Sequence, residues 1–185
     1  MKLMLHISDA ASAAVCVKRL RDQGVEPVGY WYNPNIHPFT EYCARRDDLK
    51  RYAESIGLEL IVEDEYDLRN FVRAVAKDID GSEEYCNAVR LGRAIQYASR
   101  HGFDAYATTL TAFPGADATA ILAMGTELAQ ALKFKFEPYD FSDLADPDWT
   151  EARALGLYIP KYSGSIFSEE DAYRDQLPKP GKIYF

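Results

Sequence analysis

Short apolar runs alternate along the chain with longer amphipathic segments, which is the pattern of a sheet whose strands are connected by helices. The apolar runs predict five strands, at 2–7, 27–32, 58–62, 103–108 and 134–137. The segments with helical spacing predict helices over 9–21, 39–55, 66–78, 83–100 and 117–132, and a short helix near 147–155. Gly24 and Gly57 follow the first two helices, as expected of residues that end a helix.

This order of elements predicts the fold class. Helices of this length between strands imply right-handed crossovers and therefore a parallel sheet. We expect a doubly wound, Rossmann-like α/β fold with five strands in a single domain spanning 1–185. Its core is predicted at 2–137, followed by an irregular C-terminal segment at 138–185. In such sheets ligands bind beyond the carboxyl ends of the strands.

Composition and charge narrow the class of protein. With 185 residues, 48% of them hydrophobic, the chain can bury a sizeable core. A formal charge of −8 argues against a broadly basic nucleic-acid surface. Local basic stretches at 43–52 and 89–93 still allow an RNA partner. Because no apolar run reaches 18 residues, we expect no membrane span. Three widely spaced cysteines without a C-x-x-C pair indicate reduced thiols and a cytoplasmic protein, whose oligomeric state stays open.

Four sequence motifs, which follow one another along the chain, resemble those of a known family. They are LHISDAAS (5–12), YWYNPNIHPFTEY (30–42), CNAVRL with TTLTAFP (86–91 and 108–114), and LYIPKYSGSIFSEE (157–170). Together they resemble the epoxyqueuosine reductases of the QueH family, from residue 3 to about residue 173. The resemblance implies a nucleotide-binding α-hydrolase-like fold and a role in tRNA queuosine biosynthesis. In that family epoxyqueuosine is reduced to queuosine at the wobble base of tRNA, with a [4Fe-4S] cluster and a further metal.

The resemblance also implies that most of the family's cysteine ligands are replaced here. The former cluster or metal positions are Ser8, Asp9, Glu83, Cys86, Ser163 and Ser165, of which only Cys86 is still a cysteine. Iron–sulfur clusters are held by soft thiolates, and a protonated serine hydroxyl is a poor substitute. We therefore expect no cluster and no other cofactor.

Two interpretations of these positions stay open. The serines fit either a site with oxygen ligands or a near-isosteric loss of the cluster. The carboxylates Asp9 and Glu83 suit a hard divalent metal, or a mixed zinc site with Cys86 and His6. Asp9 suits equally well the cap of the first helix, and Cys86 a small core side chain. On the functional interpretation Asp9 and Cys86 are the candidate catalytic residues.

Substrate binding is predicted for side chains expected near the carboxyl edge of the sheet. They are His6, Tyr32, Asn33, Asn35, Arg90, Thr108, Thr109 and Tyr162. Arg90 suits a clamp on a phosphate or carboxylate, or an internal ion pair. The aromatic rings suit stacking on a planar base, or ordinary packing of strands and loops. His6 suits substrate binding or a hydrogen bond to the neighbouring loop.

Taken together, these patterns predict a QueH-like protein that keeps a pocket for a modified nucleoside or tRNA but lacks reductase activity. One alternative is a metal-dependent enzyme of another class that uses Asp9 and Glu83. A second alternative is an inert scaffold that keeps only the fold. The first interpretation requires the replaced positions to meet at one edge of the sheet.

Overall fold

A four-stranded parallel sheet forms the centre of the computed structural model, which describes residues 1–178. The strands are β1 (Leu3–His6), β2 (Val28–Trp31), β3 (Leu60–Val62) and β4 (Ala105–Thr108), in the spatial order β3-β2-β1-β4. The predicted α/β class and the parallel sheet are confirmed. The end of the predicted C-terminal segment, 179–185, lies outside the described residues.

The prediction of a fifth strand is wrong. Residues 134–137 make only an isolated parallel bridge, between Tyr106 and Phe136. The preceding helix ends at a left-handed cap at Lys133, with φ 52°, and Pro138 follows the bridge. The segment exchanges hydrogen bonds with Tyr106 of β4, whose N–H donates to the Lys135 carbonyl oxygen at 3.1 Å and whose carbonyl oxygen accepts from the Glu137 N–H at 2.8 Å. Proline cannot donate to a sheet ladder, so Pro138 does not extend this pairing.

Seven α-helices surround the sheet in the described part of the chain. They are α1 (Ala10–Asp22), α2 (Phe39–Ser55), α3 (Leu68–Val75), α4 (Ser82–Arg100), α5 (Ala118–Leu132), α6 (Thr150–Ala154) and α7 (Ile166–Ala172). The first six were predicted, with ends that differ by a few residues. The seventh was not, because the C-terminal segment was expected to be irregular there. Its N-cap is Ser165, whose hydroxyl oxygen accepts a hydrogen bond of 3.1 Å from the Ser168 N–H.

Helices cover both faces of the sheet. Successive side chains of a strand point to opposite faces, so Leu3 and Leu5 of β1 pack in the core with α1 and α2, and Met4 packs in a second core with α4 and α5. Full burial of one such side chain stabilises the fold by roughly 1.5–3 kcal/mol. Among residues 1–178, no helix is both long enough and apolar enough to cross a membrane. Apolar side chains fill both faces of the sheet, and the buried polar side chains lie at the carboxyl ends of the strands.

Candidate ligand-binding site

The turn between β1 and α1 is fixed by a buried carboxylate. Asp9 is 1% exposed, and its Oδ1 accepts a hydrogen bond of 2.7 Å from the Ser12 N–H. Its Oδ2 accepts from the hydroxyls of Ser8, at 2.8 Å, and Ser12, at 3.2 Å. The predicted helix cap is therefore confirmed, and both carboxylate oxygens have partners within the turn.

His6 is held by neighbours on both sides of its ring. Its Nδ1 lies 3.0 Å from the Thr108 hydroxyl, and its Nε2 lies 3.2 Å from Asn33 Oδ1 and 3.3 Å from the Tyr32 carbonyl oxygen. Two acceptors at Nε2 place the proton there, so Nδ1 accepts from Thr108. Burial, and secondly the charge of Arg90, lower the pKa of His6 to about 3. The ring is therefore neutral in the folded protein.

Other predicted substrate-binding residues also make internal contacts at the carboxyl edge of the sheet. The Nδ2 atom of Asn33 donates to the Ile7 carbonyl oxygen at 2.9 Å. The Thr109 hydroxyl accepts from the Ser8 N–H at 3.4 Å. The Tyr32 ring faces the Arg93 guanidinium at 5.9 Å. Burial raises the pKa of Tyr32 to about 12.

The C-terminal loop is clamped onto α2 over the same edge. The Arg45 guanidinium donates to the carbonyl oxygens of Tyr162, at 2.7 Å, and Ser163, at 3.1 Å. The Tyr162 hydroxyl donates to the carbonyl oxygen of His37, whose own N–H donates to the Gly164 carbonyl at 2.7 Å. These contacts hold the fourth sequence motif (157–170) against the second (30–42) and the helix that follows it.

Arg90 on α4 reaches the same loop as a buried cation. It is 1% exposed, and its Nε donates to Asn35 Oδ1 at 2.8 Å. Of the ion pairs within residues 1–178, none involves Arg90. A Cβ atom at Gly164 would lie 2.6 Å from Arg90 Nη2, so glycine is what lets the loop approach the guanidinium. The structure does not support the internal ion pair that the sequence left open.

A cavity of about 1240 Å³ opens beside Arg90, between α4, α5, α7 and the C-terminal loop. Its polar wall includes Ser8, Glu83, Asn87, Arg90, Lys161, Tyr162 and Ser163, and its apolar wall includes Leu110, Phe113, Ile121, Met124 and Leu128. The Ser163 hydroxyl donates to Glu83 Oε2 at 2.8 Å. Three of the replaced positions, Ser8, Glu83 and Ser163, thus line one cavity, whose volume is large enough for a nucleotide.

The other three replaced positions, Asp9, Cys86 and Ser165, do not line this cavity. Cys86 is fully buried in an apolar cluster with Phe71 and Val75. Burial raises the pKa of the Cys86 thiol to about 12, so the side chain is a neutral core group. Ser165 is buried as the cap of α7. Within residues 1–178, no group of three or more His, Cys, Asp and Glu side chains is placed to hold a metal ion.

Asn87 is a cavity residue that the sequence did not single out. It is 7% exposed, and its Oδ1 is buried without a hydrogen-bond partner among the described residues. It follows Cys86 on α4 and falls between Glu83 and Arg90 at helical spacing. That spacing was the available signal, since a helix face that carries Glu83 and Arg90 also carries Asn87.

Fold and site together define a parallel α/β protein with a large, partly polar cavity beyond the carboxyl edge of its sheet. The family model described as "Epoxyqueuosine reductase QueH" matches residues 3–171. The chain belongs to the epoxyqueuosine reductase QueH family, as the resemblance predicted.

Curated relatives agree with this assignment. Epoxyqueuosine reductase QueH of Dehalococcoides mccartyi is 30% identical over 172 residues, which cover 93% of this chain and 94% of the relative. The protein of the same name from Thermotoga maritima is 28% identical over 176 residues, covering 90% of this chain and 89% of the relative. That of Helicobacter pylori is 29% identical, and the match covers 98% of this chain but 53% of the relative.

Proposed function

We propose that this protein binds a modified purine nucleoside, carried by tRNA, in the cavity beside Arg90, and that it does not catalyse the reduction for which its relatives are named. The observation that carries the binding proposal is the state of Arg90, a buried guanidinium with no carboxylate partner among residues 1–178. An unpaired buried charge is unfavourable. A phosphate or another anionic ligand group would offset this charge and form directional hydrogen bonds with the guanidinium.

The apolar part of the cavity lining supports a planar ligand. Phe113, Ile121 and Met124 contribute apolar surface to the same cavity as the polar side chains of α4. Ligand pockets commonly combine such an apolar wall with a few directed polar groups. A nucleotide divides in the same way, since its base is planar and largely apolar on its faces while its phosphate is anionic.

The side chains at the replaced cysteine positions support the proposal that this protein does not catalyse the reduction. An iron–sulfur cluster needs several cysteine thiolates, and the one cysteine at the replaced positions, Cys86, is a buried neutral thiol. Ser8 and Ser163 offer hydroxyls that already donate to carboxylates. These residues do not fit a [4Fe-4S] cluster, and we assign no chemical step to one.

The strand order supports a finer description of the fold. In the order β3-β2-β1-β4, the chain moves outward from β1 through β2 to β3 and then crosses to the other side of β1 to form β4, so the switch point of the sheet lies between β1 and β4. The residues after these two strands, Ser8 and Leu110, line the cavity. We propose on this basis a Rossmann-like nucleotide-binding fold, with the clamped C-terminal segment as part of a single domain. A tRNA ligand would place its action in the cytoplasm.

The test of binding uses one tRNA in two states, with epoxyqueuosine or with guanosine at the wobble position. Fluorescence anisotropy at fixed salt should show tighter binding of the epoxyqueuosine form. Equal affinity for both forms would remove the modified nucleoside from the proposal, and binding of neither tRNA nor free nucleoside would favour the inert scaffold.

The test of activity is separate. After anaerobic incubation with iron and sulfide we expect neither an absorbance band near 400 nm nor conversion of epoxyqueuosine to queuosine. Incorporation of about four irons and four sulfides per chain, or formation of queuosine, would overturn the claim that the reaction is lost.

The metal-dependent alternative has its own test. The carboxylate oxygens of Asp9 already accept three hydrogen bonds, so we expect them not to bind a metal ion. The melting temperature should therefore be the same with EDTA and with added Mn²⁺ or Zn²⁺. A metal-dependent rise in melting temperature that is absent in Asp9→Asn would instead establish a metal site at Asp9.

A further inference from the structure

Glu83 places a carboxylate without a cationic partner in the wall of the cavity. It is half-buried in the first turn of α4, and no ion pair within residues 1–178 includes it. The dipole of the helix favours an acid at this position, but it does not supply a directional partner for both oxygens.

One oxygen of this carboxylate is free to contact a ligand. Glu83 Oε2 accepts from the Ser163 hydroxyl at 2.8 Å, whereas Oε1 has no hydrogen-bond partner among the described residues. The side chain of Asn87 holds the only buried side-chain nitrogen or oxygen atom without a partner in that part of the chain. Because Glu83 Oε1 has no partner either, it is not buried and is accessible.

The hydroxyl beside this carboxylate can only accept from a ligand. An ionised carboxylate does not donate, so the Ser163 proton lies in the hydrogen bond to Glu83. The Ser163 oxygen keeps lone pairs that can still accept. Glu83 and Ser163 thus place two neighbouring acceptors in the cavity wall, with no free donor between them. A complementary ligand group carries several N–H donors and a positive charge.

The other charges around the cavity favour the same kind of group. Five carboxylates and two cations line it, a formal excess of three negative charges. The carboxylates belong to Glu83, Glu84, Asp117, Glu127 and Asp171, and the cations to Arg90 and Lys161. A surface of this sign attracts cations and opposes a ligand that is only anionic. Arg90 therefore accounts for the anionic part of a ligand but not for the charge of the remaining wall.

We propose that Glu83 and Ser163 bind a protonated amine, so that the cavity selects a nucleotide whose base carries an aminoalkyl group. This inference rests on the proposed nucleoside-binding function and adds the chemical class of the base modification. Arg90 follows Glu83 by seven residues on the same face of α4, which separates them by about 10 Å along the helix. A nucleotide with a phosphate at one end and an amine at the other can contact both.

An organic ammonium fits these residues better than a metal ion does. Within residues 1–178, no group of three or more His, Cys, Asp and Glu side chains is placed to hold a metal. A hard divalent metal takes six or more oxygen ligands. An ammonium has three N–H donors, and Glu83 Oε1 and the Ser163 oxygen can accept two of them.

The experiment compares two nucleotides that differ in one charge. Both are 7-deazaguanosine 5′-monophosphates, with an aminomethyl or a hydroxymethyl group at position 7, where a substituent leaves the pairing edge of the base free. The two groups are similar in size and both donate hydrogen bonds, but only the amine is cationic. Calorimetry with the full chain at fixed salt should show binding of the aminomethyl form that is on the order of ten-fold tighter. In Glu83→Gln this preference should disappear.

The glutamine variant keeps the local structure. Its side-chain carbonyl can still accept from Ser163, so the melting temperature should change little. Affinity for the hydroxymethyl form should be unchanged or higher, because a negative charge that opposes the phosphate is removed. Glu84→Gln is the matched control, since it removes the same charge at the next position of the cavity wall. Glu84 is exposed and screened by solvent, so the preference for the amine should be retained there.

The outcomes separate this inference from the function on which it rests. Equal affinity of the wild type for both forms, or a preference that survives in Glu83→Gln, means that the inference is wrong while nucleotide binding stands. The inference is also wrong if Glu84→Gln loses the preference equally, or if Glu83→Gln melts several degrees lower.

Two further results concern the proposed function itself. If the wild type binds the tRNA with epoxyqueuosine but neither nucleotide, contacts outside the cavity hold the ligand, and the inference fails while tRNA binding stands. If it binds neither the nucleotides nor tRNA, the proposed function fails, and the inference fails with it.

Discussion

Arg45 on α2 donates a hydrogen bond of 2.7 Å to the main-chain oxygen of Tyr162, 117 residues later in the chain. The same guanidinium pairs with Glu41 at 2.6 Å, and the side chains of the pair are 0% and 10% exposed. One buried cation thus joins a helix that flanks the sheet to the loop that closes the cavity.

Replacing Arg45 by methionine should destabilise the protein strongly. The change keeps much of the apolar stem but leaves the carboxylate of Glu41 buried without its cation, which costs about 3–5 kcal/mol in comparable pairs. Urea unfolding should show this loss, and nucleotide binding should weaken as the loop detaches. Arg19→Met is the matched control. Its partner Asp143 is 60% exposed, so we expect a loss of at most about 1 kcal/mol. Equal losses in the two variants would contradict the clamp.

Replacing Arg90 by glutamine should separate binding from stability. Glutamine removes the charge but can still donate to Asn35, so the free energy of unfolding should change by less than about 1.5 kcal/mol. Affinity for GMP or tRNA should fall on the order of ten- to a hundred-fold, because the anion loses its cation.

Arg93→Gln, on the same helix, provides the comparison for Arg90. Its pair with Glu63 lies outside the cavity wall, and binding should be retained. A loss of several kcal/mol of stability in Arg90→Gln, without any change in affinity, would restore the internal role for this arginine.

Replacing Gly164 by alanine should disturb the ligand site through Arg90. The added methyl would lie 2.6 Å from Arg90 Nη2 and 3.2 Å from Ile36 Cγ1, so at least one of these side chains must move. Overpacking of this kind costs about 1–3 kcal/mol, and calorimetry should show weaker nucleotide binding. Gly92→Ala on α4 meets no atom within 4 Å and should instead stabilise the helix by about 0.5–1 kcal/mol. Unchanged binding in Gly164→Ala would contradict the close approach.

The stability of the protein should fall as the pH drops below about 6.5. Burial lowers the pKa of His6 to about 3 and that of His37 to about 4, so both rings stay neutral in the folded state while the unfolded chain takes up protons. Stability is therefore complete above pH 6.5 and is lost on acidification, by at most about 1.4 kcal/mol per pH unit for each histidine.

His6→Gln tests this pH dependence. Glutamine can still accept from Thr108 and donate to Asn33, but it does not titrate. Urea unfolding at several values between pH 6.5 and 5, a range above most carboxylate pKa values, should show a shallower slope than in the wild type. The same slope in both proteins would mean that His6 is protonated in the folded state.

Local signals in the sequence were sufficient for the β1–α1 turn. Asp9 followed by an apolar helical pattern predicts a cap, and the structure has that cap. The meeting of Ser8 with Ser163 and Glu83 around one cavity was expected from the family resemblance. The strand rule alone covers Ser8, which follows β1, whereas Glu83 lies in the first turn of α4 and Ser163 in the C-terminal loop.

The sequence did not decide whether Cys86 or Asn87 faces the cavity. Neighbouring residues on a helix point about 100° apart, and both of these lie between Glu83 and Arg90 on α4. The apolar cluster with Phe71 and Val75 buries Cys86, and Asn87 is left in the cavity wall. The packing of α3 that makes this choice is a long-range contact without a local signal. The short helix α7 was missed for the same reason, because long-range contacts hold it against α3 and α4, such as that of Phe167 with Phe71.

The clamp at Arg45 also sets an order of events during synthesis. The last strand ends at Thr108, so every strand of the sheet has been translated before the carbonyl groups at 162 and 163 exist. Folding on the ribosome proceeds from the N-terminus, and the growing chain can therefore assemble its sheet while Arg45 still lacks its acceptors. The pocket can therefore be completed only after the final segment has left the ribosome. A chain whose synthesis stopped between residues 108 and 162 would contain every strand of the sheet but not the loop that Arg45 holds over the cavity.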